Sequence, residues 1–533
     1  MATLTFKGKP FVQNYHLTVP YHQLVPKKDK SLADKVRLDD NLIVHGDNLK
    51  ALKSLLPTYA GKVKCIYIDP PYNTGNEKWA YNDNVNSPMM QEWLGKVVDR
   101  EDLTRHDKWL CMMMPRLKLL REFLRNDGAI FVSIDDNELQ HLQMLMDEVF
   151  GDESHIETFI WKSRLGKGAT AQQTAKLHEY IVCYAKNASL LDFKTDRRFV
   201  KKDTKERLRQ WGQGDRREDR PSMYYPITSK KYGEVLPKKP DGTDGRWRMS
   251  KRNMDELIKQ GLVVFAEQSD GRVEAYRLIS AGSETNTAYS SILDTEIVKT
   301  TAHGSIELKD IFGVQVLDYP KPSRLVRELI SLNTHNDKNA VILDSFAGSG
   351  TTAHASLSLN KEDGGDRKFI LVECEDYADK ITAERVRRVI KGVPKASDEA
   401  LRKGLGGSFS YFELGKSIEA DGFLEGKNLP SYVDLARYVF YTATGQEFDE
   451  RRVNEKRYFI GSSEEHDVYL LYKPDIQFLK DTALTLERAR ALGPNKGKRR
   501  LVFAPTKYLD HDQLAELHID FAQLPFEIYK LAE

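Results

Sequence analysis

Residues 63–75 read VKCIYIDPPYNTG, and four consecutive positions, Asp69, Pro70, Pro71 and Tyr72, crowd a carboxylate, two ring-locked peptides and an aromatic face into one turn. Each proline fixes φ and removes a backbone donor, so the carbonyls before and between the two rings are left to accept hydrogen bonds from another partner. Such a set suits an exocyclic amine on a flat ring. The lone pair of that amine is delocalised, so a catalyst must pull on both N–H groups while holding the ring still. Asp69 can take one N–H, the Pro70 carbonyl the other, and Tyr72 can stack on the ring. Turn chemistry alone enriches Asp and Pro without any catalysis, so a second motif must decide.

That second motif is Ser345-Phe346-Ala347-Gly348-Ser349-Gly350-Thr351-Thr352. It follows an apolar run ending in Asp344 and opens a predicted helix. Gly348 and Gly350 stand where backbone must approach a ligand closely, beside helix amides that can take a carboxylate or phosphate. Glu373 ends the next predicted strand, at the separation from which an acidic side chain holds ribose hydroxyls. The turn lacks the Lys-Ser/Thr ending of a P-loop, which argues against nucleoside triphosphate hydrolysis.

The elements that must position these turns are legible as apolar runs. Residues 42–46 read as a short strand ending at Asp47, and 48–56 as a helix closed by Pro57. Residues 65–69 read as a buried parallel strand, giving a strand–helix–strand crossover. Residues 107–125 carry helical spacing, Asp127-Gly128 turns the chain, 129–134 is another strand and 138–150 a helix. Residues 79–105 have no strong period and read as a loop. Residues 159–162 and 179–184 read as paired strands, and the loop between them, 163–176, is a candidate for closing over a target base. Residues 316–322 lead into a helix over 323–332, followed by strands at 340–344 and 368–373 and a helix over 380–391.

Length and composition set bounds. A chain of 533 residues exceeds one ordinary core, so two or three domains are expected. No apolar run reaches the length of a membrane span, and the first thirty residues lack a signal-peptide core, which predicts a cytoplasmic protein without membrane attachment. Cys65, Cys111, Cys183 and Cys374 are scattered, with neither a CxxC pair nor zinc-ligand spacing, so no metal is expected and all four read as buried thiols. The net charge of +2 is uninformative, but residues 191–260 hold 20 Lys/Arg against 12 Asp/Glu, with Trp211, Tyr224, Tyr225 and Trp247 interleaved. That stretch is a candidate phosphate-neutralising surface.

With both motifs in view, the chain resembles the β-group of amino DNA methyltransferases, which act on adenine N6 or cytosine N4, and above all the modification subunits of type III restriction systems. The resemblance rests on DPPY at 69–72, extended as DPPYNTG, then Tyr319-Pro320-Lys321-Pro322, then FAGSGT at 346–351 and Glu373, in that order. It covers about residues 40–390. Within it, Gly245-Arg246-Trp247-Arg248 and Gly304-Ser305-Ile306-Glu307-Leu308 are also similar to type III modification subunits, and 521–528 more weakly.

The resemblance implies a doubly wound α/β methyltransferase sheet in circularly permuted order, with a target recognition insert and a C-terminal α/β domain. The implied layout is an arm (1–40), a catalytic half (41–187), the insert (188–300), a cofactor half (301–394) and a C-terminal domain (395–533). It assigns catalysis to Asp69, Pro70, Pro71 and Tyr72. It assigns S-adenosylmethionine binding to Asp47, Asp69, Lys321, Asp344, Phe346, Gly348, Ser349, Gly350, Thr351 and Glu373, with Lys321 near the cofactor carboxylate and Asp47 on its adenine. Arg246, Trp247 and Arg248 become candidate DNA contacts. Double-stranded DNA, a second copy in a homodimer and a restriction (helicase–nuclease) subunit are the implied partners. Adenine is the expected target. Cytosine N4, or a non-catalytic specificity subunit that only binds DNA, are the alternatives.

Overall fold

The computed structural model describes residues 4–74, 104–166, 174–194, 196–199, 204–279, 284–418, 429–444, 446, 448–492 and 497–524. Most of the loop expected at 79–105, part of the loop at 163–176 and the last residues of 521–528 lie outside these. The chain divides into two compact units, residues 195–290 and the remainder.

The larger unit is built on a nine-stranded mixed sheet. In chain order its strands are β1 (His22–Pro26), β2 (Leu42–His45), β3 (Val63–Ile68), β4 (Leu124–Ile134), β5 (His155–Trp161), β6 (Glu179–Ala185), β7 (Val341–Asp344), β8 (Lys368–Glu373) and β9 (Ser410–Ser417). Their spatial order is β1-β9-β2-β8-β7-β3-β4-β6-β5. The run from β9 to β4 is parallel throughout, and β1, β6 and β5 complete the sheet antiparallel. Every residue of β3 is buried, as an apolar strand covered on both faces must be. Lys64, the one charge in it, reaches Asp127 at 2.9 Å.

Two crossovers run in opposite directions from the centre. β3 leads through a helix, α2 (Arg105–Phe123), to β4 on one side, while β7 leads through α3 (Thr351–Asp363) to β8 on the other. The carboxyl ends of β3 and β7 therefore flank the point where the winding reverses, which is where an open parallel sheet presents its crevice. Ile342 pairs with Cys65 and Leu343 with Ile66 across that join.

Several boundaries differ from the sequence expectation for identifiable reasons. The helix expected at 107–125 starts at Arg105, because Thr104 caps it and exchanges hydrogen bonds with Asp107, and it stops at Phe123 as Leu124 turns extended. Asp127-Gly128 is not a turn between elements. It lies within β4, where Leu124 faces Val63 and Ala129 faces Cys65, so three extra residues bulge from the ladder and are pinned by Arg125 and Lys64 on Asp127. The helix Asn48–Tyr59 runs through Pro57 instead of ending there. Residues 1–40, expected as an extended arm, bury Leu4, Phe6, Val12 and Val19 and contribute β1. The C-terminal boundary at 394 cuts through the sheet, since β9 beyond it lies between β1 and β2. Of the cysteines, Cys374 is partly exposed and the other three are buried, with no disulfide.

Beyond β9, the strands Phe459–Ser462, His466–Leu470, Arg499–Ala504 and Ile519–Gln523 form a separate four-stranded sheet. The helix Tyr432–Thr444 packs its buried face into the same core. Among the described residues, no helix is long and apolar enough to cross a membrane.

The smaller unit holds a three-stranded sheet (Val263–Glu267, Val273–Ile279, Thr204–Arg207), the helix Lys251–Lys259 and a core of Leu208, Tyr225, Ile227, Val235, Trp247, Met254 and Ala275.

Because β9 fills a position inside the sheet, a chain stopped at residue 394 would bare the edge of β2. That truncation is expected to be insoluble or unfolded by circular dichroism. A soluble fragment with a cooperative melting transition would contradict it.

Candidate active site

Asp69 emerges from the end of β3, and the turn behind it is held from two sides. Trp109, on the first turns of α2 and fully buried, donates its indole N–H to the Pro71 carbonyl at 2.7 Å. Asn73 takes a left-handed φ of 57° and donates its amide to the Arg105 carbonyl at 3.2 Å and to Glu138. The carbonyl that Trp109 occupies is Pro71's.

The carboxylate of Asp69 faces Lys321, whose ammonium lies 2.8 Å from both of its oxygens. The same ammonium is 3.7 Å from Glu179, 4.8 Å from the centre of the Tyr72 ring and 6.0 Å from that of Trp161. Tyr72 donates its hydroxyl to Glu179 at 3.0 Å. Two carboxylates and two aromatic rings thus surround one cationic N–H donor. Burial pulls the Lys321 ammonium down, but Asp69 and Glu179 outweigh it and the net shift is upward. Burial pushes the Tyr72 phenol well above its usual range, so it is a neutral donor here.

The second turn leaves β7 at Asp344. The Phe346 amide donates to one Asp344 oxygen at 2.9 Å and the Thr352 hydroxyl to the other at 2.5 Å. Gly348 (φ 52°) and Gly350 (φ 80°) are both left-handed, and a β-carbon at Gly350 would stand 3.1 Å from the Thr382 carbonyl. The Gly348 amide donates to Glu373 at 2.6 Å, and the Glu375 amide to the other Glu373 oxygen at 3.0 Å. Arg385, fully buried, forks onto the Ser349 and Thr351 hydroxyls at 2.8 Å each, and its second arm lies 3.2 Å from Glu307.

A cavity of about 150 Å³ opens between the two turns, lined by Asp69, Lys321, Asp344, Phe346, Gly348, Ser349 and Thr351, with Tyr67 and Tyr377 closing it. Tyr72 adjoins it through Lys321, and Gly350 is packed behind it against Thr382. Glu373 is fully buried behind the Gly348 amide. Asp47, at the end of β2, caps the helix Asn48–Tyr59 through the Lys50 amide. Its Oδ2 is buried, accepts no hydrogen bond among the described residues, and lies 3.6 Å from Arg116. A larger cleft of about 580 Å³, lined by His303, Glu307, Arg324 and His354, lies elsewhere and contains neither turn.

The electrostatics of this edge are strongly acidic. Burial raises Asp344 to about 7, with Asp69 and Glu373 adding to the rise, and burial likewise raises Glu373 to about 7. Carboxylates held this far above their ordinary value of about 4 favour a cationic ligand that restores their charge. The one cavity is therefore bordered by glycine backbone and raised carboxylates and reaches the Asp69–Lys321 pair beside the rings of Tyr72 and Trp161.

Lys321, expected near a cofactor carboxylate, lines the cavity and pairs with Asp69. One sequence expectation is corrected by these contacts. Trp247 cannot serve as a DNA contact: it is 1% exposed, and its indole donates to the Tyr225 carbonyl at 2.7 Å, so its apolar bulk fills the core of the smaller unit. Arg246 is tied to the Gly214 carbonyl and Arg248 to Glu206, although Arg248 remains at the surface. Trp211, 67% exposed, is the accessible tryptophan there. Glu179, Trp109, Trp161, Glu138 and Arg385 were not singled out by sequence. Glu179 merely begins a strand, and nothing in its neighbours marks it.

A family model described as DNA methylase matches residues 63–384. Similar curated proteins include the type III restriction-modification enzyme StyLTI Mod subunit of Salmonella typhimurium, 31% identical over 83% of this chain and 70% of its own length. The EcoPI Mod subunit of Escherichia phage P1 is 30% identical over 75% of this chain and 70% of its own. The type II methyltransferase M.KpnI of Klebsiella pneumoniae is 34% identical over 62% of this chain and 79% of its own.

Arg385→Ala should remove the fork on Ser349 and Thr351 and strip Glu307 of its buried partner, costing about 3 kcal/mol. The expected readout is a lowered thermal midpoint, only partly recovered by Arg385→Lys, which restores the charge without the fork. A midpoint unchanged in Arg385→Ala would contradict the assignment.

Proposed function

The chain belongs to the DNA methylase family, and from that footing we propose that it transfers a methyl group from S-adenosylmethionine to the exocyclic N6 of adenine in DNA, as the modification subunit of a type III restriction-modification system. The observation that carries this reading is the single cavity shared by Asp69 and the glycine turn.

The residues fit the cofactor. Asp344 and Glu373, both raised towards neutrality, offer negative charge to a cationic ligand, and the Gly348 region offers backbone a side chain would cover. The buried, unsatisfied Oδ2 of Asp47 suits an amino-group donor. Bound there, S-adenosylmethionine supplies an electrophilic methyl.

The chain's own part is to hold the acceptor. Asp69 and the Pro70 carbonyl accept the two N–H groups of the target amine, and Tyr72 stacks on the base. Lys321 sits on the carboxylate that the amine needs, so its ammonium must leave Asp69 before the base enters, with the cofactor carboxylate as its destination. A base inside a duplex cannot reach Asp69. Flipping it out costs a few kcal/mol, of which stacking returns about 1–3 kcal/mol. A methylated cationic nitrogen is strongly acidic, so Asp69 acts by orienting and polarising rather than as a strong base.

The order of the motifs, with the catalytic strand before the cofactor strand, supports a circularly permuted methyltransferase domain whose sheet takes β1 to β6 from before the insert and β7 to β9 from after it. The unit at 195–290 falls within the span assigned as the target recognition insert. Its phosphate contacts are drawn from surface cations such as Arg248, and the exposed Trp211 offers a face for stacking. A second copy of the chain and a restriction subunit complete the assembly.

Asp69→Ala is expected to keep cofactor and DNA binding while losing at least about 10²-fold in turnover. Turnover near wild type would refute the role. Mass spectrometry of nucleosides from treated DNA should show N6-methyladenine, and N4-methylcytosine instead would overturn the choice of base. Cofactor affinity should also rise between about pH 6 and pH 8 as Asp344 and Glu373 lose their protons. The sign for the cofactor-free protein is opposite. Carboxylates raised from about 4 to about 7 make the native state bind the extra protons, so its stability falls as pH rises from about 4 to about 7. Isothermal titration across pH, with proton release on binding near pH 7, checks the first, and the thermal midpoint of the cofactor-free protein across pH checks the second.

A further inference from the structure

Behind the catalytic turn lies a group of side chains that the chemistry above does not use. Glu138 precedes the helix Leu139–Phe150 and is fully buried. One of its oxygens accepts from the Asn73 side-chain amide and lies 2.7 Å from Nδ1 of His106. The other lies 2.8 Å from Nδ1 of His141, outside hydrogen-bond geometry. The two imidazole rings lie 4.6 Å apart with their planes tilted by 33°, each about one-third exposed, so each of the two carboxylate oxygens has one imidazole beside it and one of them also accepts from Asn73.

Asn73 is the residue that needs a grip. It follows Tyr72 directly, is 1% exposed, and holds a left-handed φ of 57°, a region that non-glycine residues seldom adopt and asparagine adopts more readily than most. The hydrogens of its side-chain amide go to Arg105 and to Glu138, so both α2 and the start of the helix Leu139–Phe150 fix it. Were that conformation released, the four residues before it would lose their exit direction. The Asp69 carboxylate and Pro70 carbonyl would then no longer converge on one nitrogen.

We propose that Glu138 is a positioning residue for methyl transfer: by clamping Asn73 in the left-handed conformation, with His106 and His141 holding the clamp, it sets the aim of Asp69 and Pro70. This rests on the function proposed above. It touches neither substrate nor cofactor, and it acts on turnover rather than on cofactor binding. Misplacement of reacting groups by about 1 Å costs on the order of 10²-fold in rate.

The test is a double-mutant cycle on the full chain, with saturating cofactor and duplex substrate. Asn73→Gly tolerates the left-handed backbone but removes the amide. Glu138→Ala and Asn73→Gly are each expected to lower kcat about 10²-fold. Cofactor Kd should stay within about two-fold, and the double variant should fall no further than the worse single variant by more than about three-fold, as residues acting through one contact require. Glu138→Gln, which keeps an acceptor for Asn73, should recover much of the loss. Multiplicative losses, kcat unchanged in Glu138→Ala, or losses that follow cofactor Kd would overturn the proposal. So would one equivalent of Zn²⁺ bound by the wild type and lost in Glu138→Ala, since the carboxylate would then serve an ion. Wild type and Asp69→Ala run alongside separate the failures: if wild type transfers no methyl group to DNA the methyl-transfer reading falls, and if wild type is active and Asp69→Ala alone loses turnover only the role of Glu138 falls.

Discussion

The join between β3 and β7 is the constraint on which the rest depends. Their ladder brings Ile66 against Leu343, and so places two turns roughly 280 residues apart in sequence at one sheet edge. Parallel neighbours cannot be connected by a hairpin, so the chain between them must leave the sheet and return. It spends that length on α2, the β4–β6–β5 wing, the separate unit at 195–290 and the helices that carry Lys321 back to the edge. The opposed winding on either side of the join then keeps both turns clear of their own crossover helices, and a crevice is left where they meet.

An edge assembled this way collects acidic strand ends. Asp47, Glu373, Asp344 and Asp69 follow β2, β8, β7 and β3 in spatial order. Carboxylates side by side in a buried edge repel one another, and the structure answers with amides and cations from other elements. Gly348 and Glu375 amides serve Glu373, Phe346 and Thr352 serve Asp344, Arg116 approaches Asp47, and Lys321 sits on Asp69. Hydrogen bonds alone leave Asp344 and Glu373 at about 7, so the edge is short of positive charge. That deficit is the property a sulfonium ligand would meet.

What could be read from the sequence was what depends on short-range chemistry. The apolar run of β3, the glycines at 348 and 350 and the acidic ends of β7 and β8 each carry their reason within a few residues, and each lies where the spacing put it. Features decided by long-range pairing were illegible. Asp127-Gly128 has the composition of a turn, yet Lys64 across the sheet and Arg125 turn it into a bulge. Trp247, set in a basic, aromatic-rich stretch, looks like a nucleic-acid contact until the fold of its own unit buries it. Nothing near residues 410–417 announces that they will sit beside β2, and nothing near Glu179 announces that it will face Lys321.

The Lys321 nitrogen presents N–H groups to both oxygens of Asp69 between the rings of Tyr72 and Trp161. The ammonium compensates Asp69 beside Asp344 and Glu179. The lysine offsets the charge of that carboxylate from 2.8 Å. The same side chain lines the cavity of the glycine turn, so one ammonium faces both halves of the crevice.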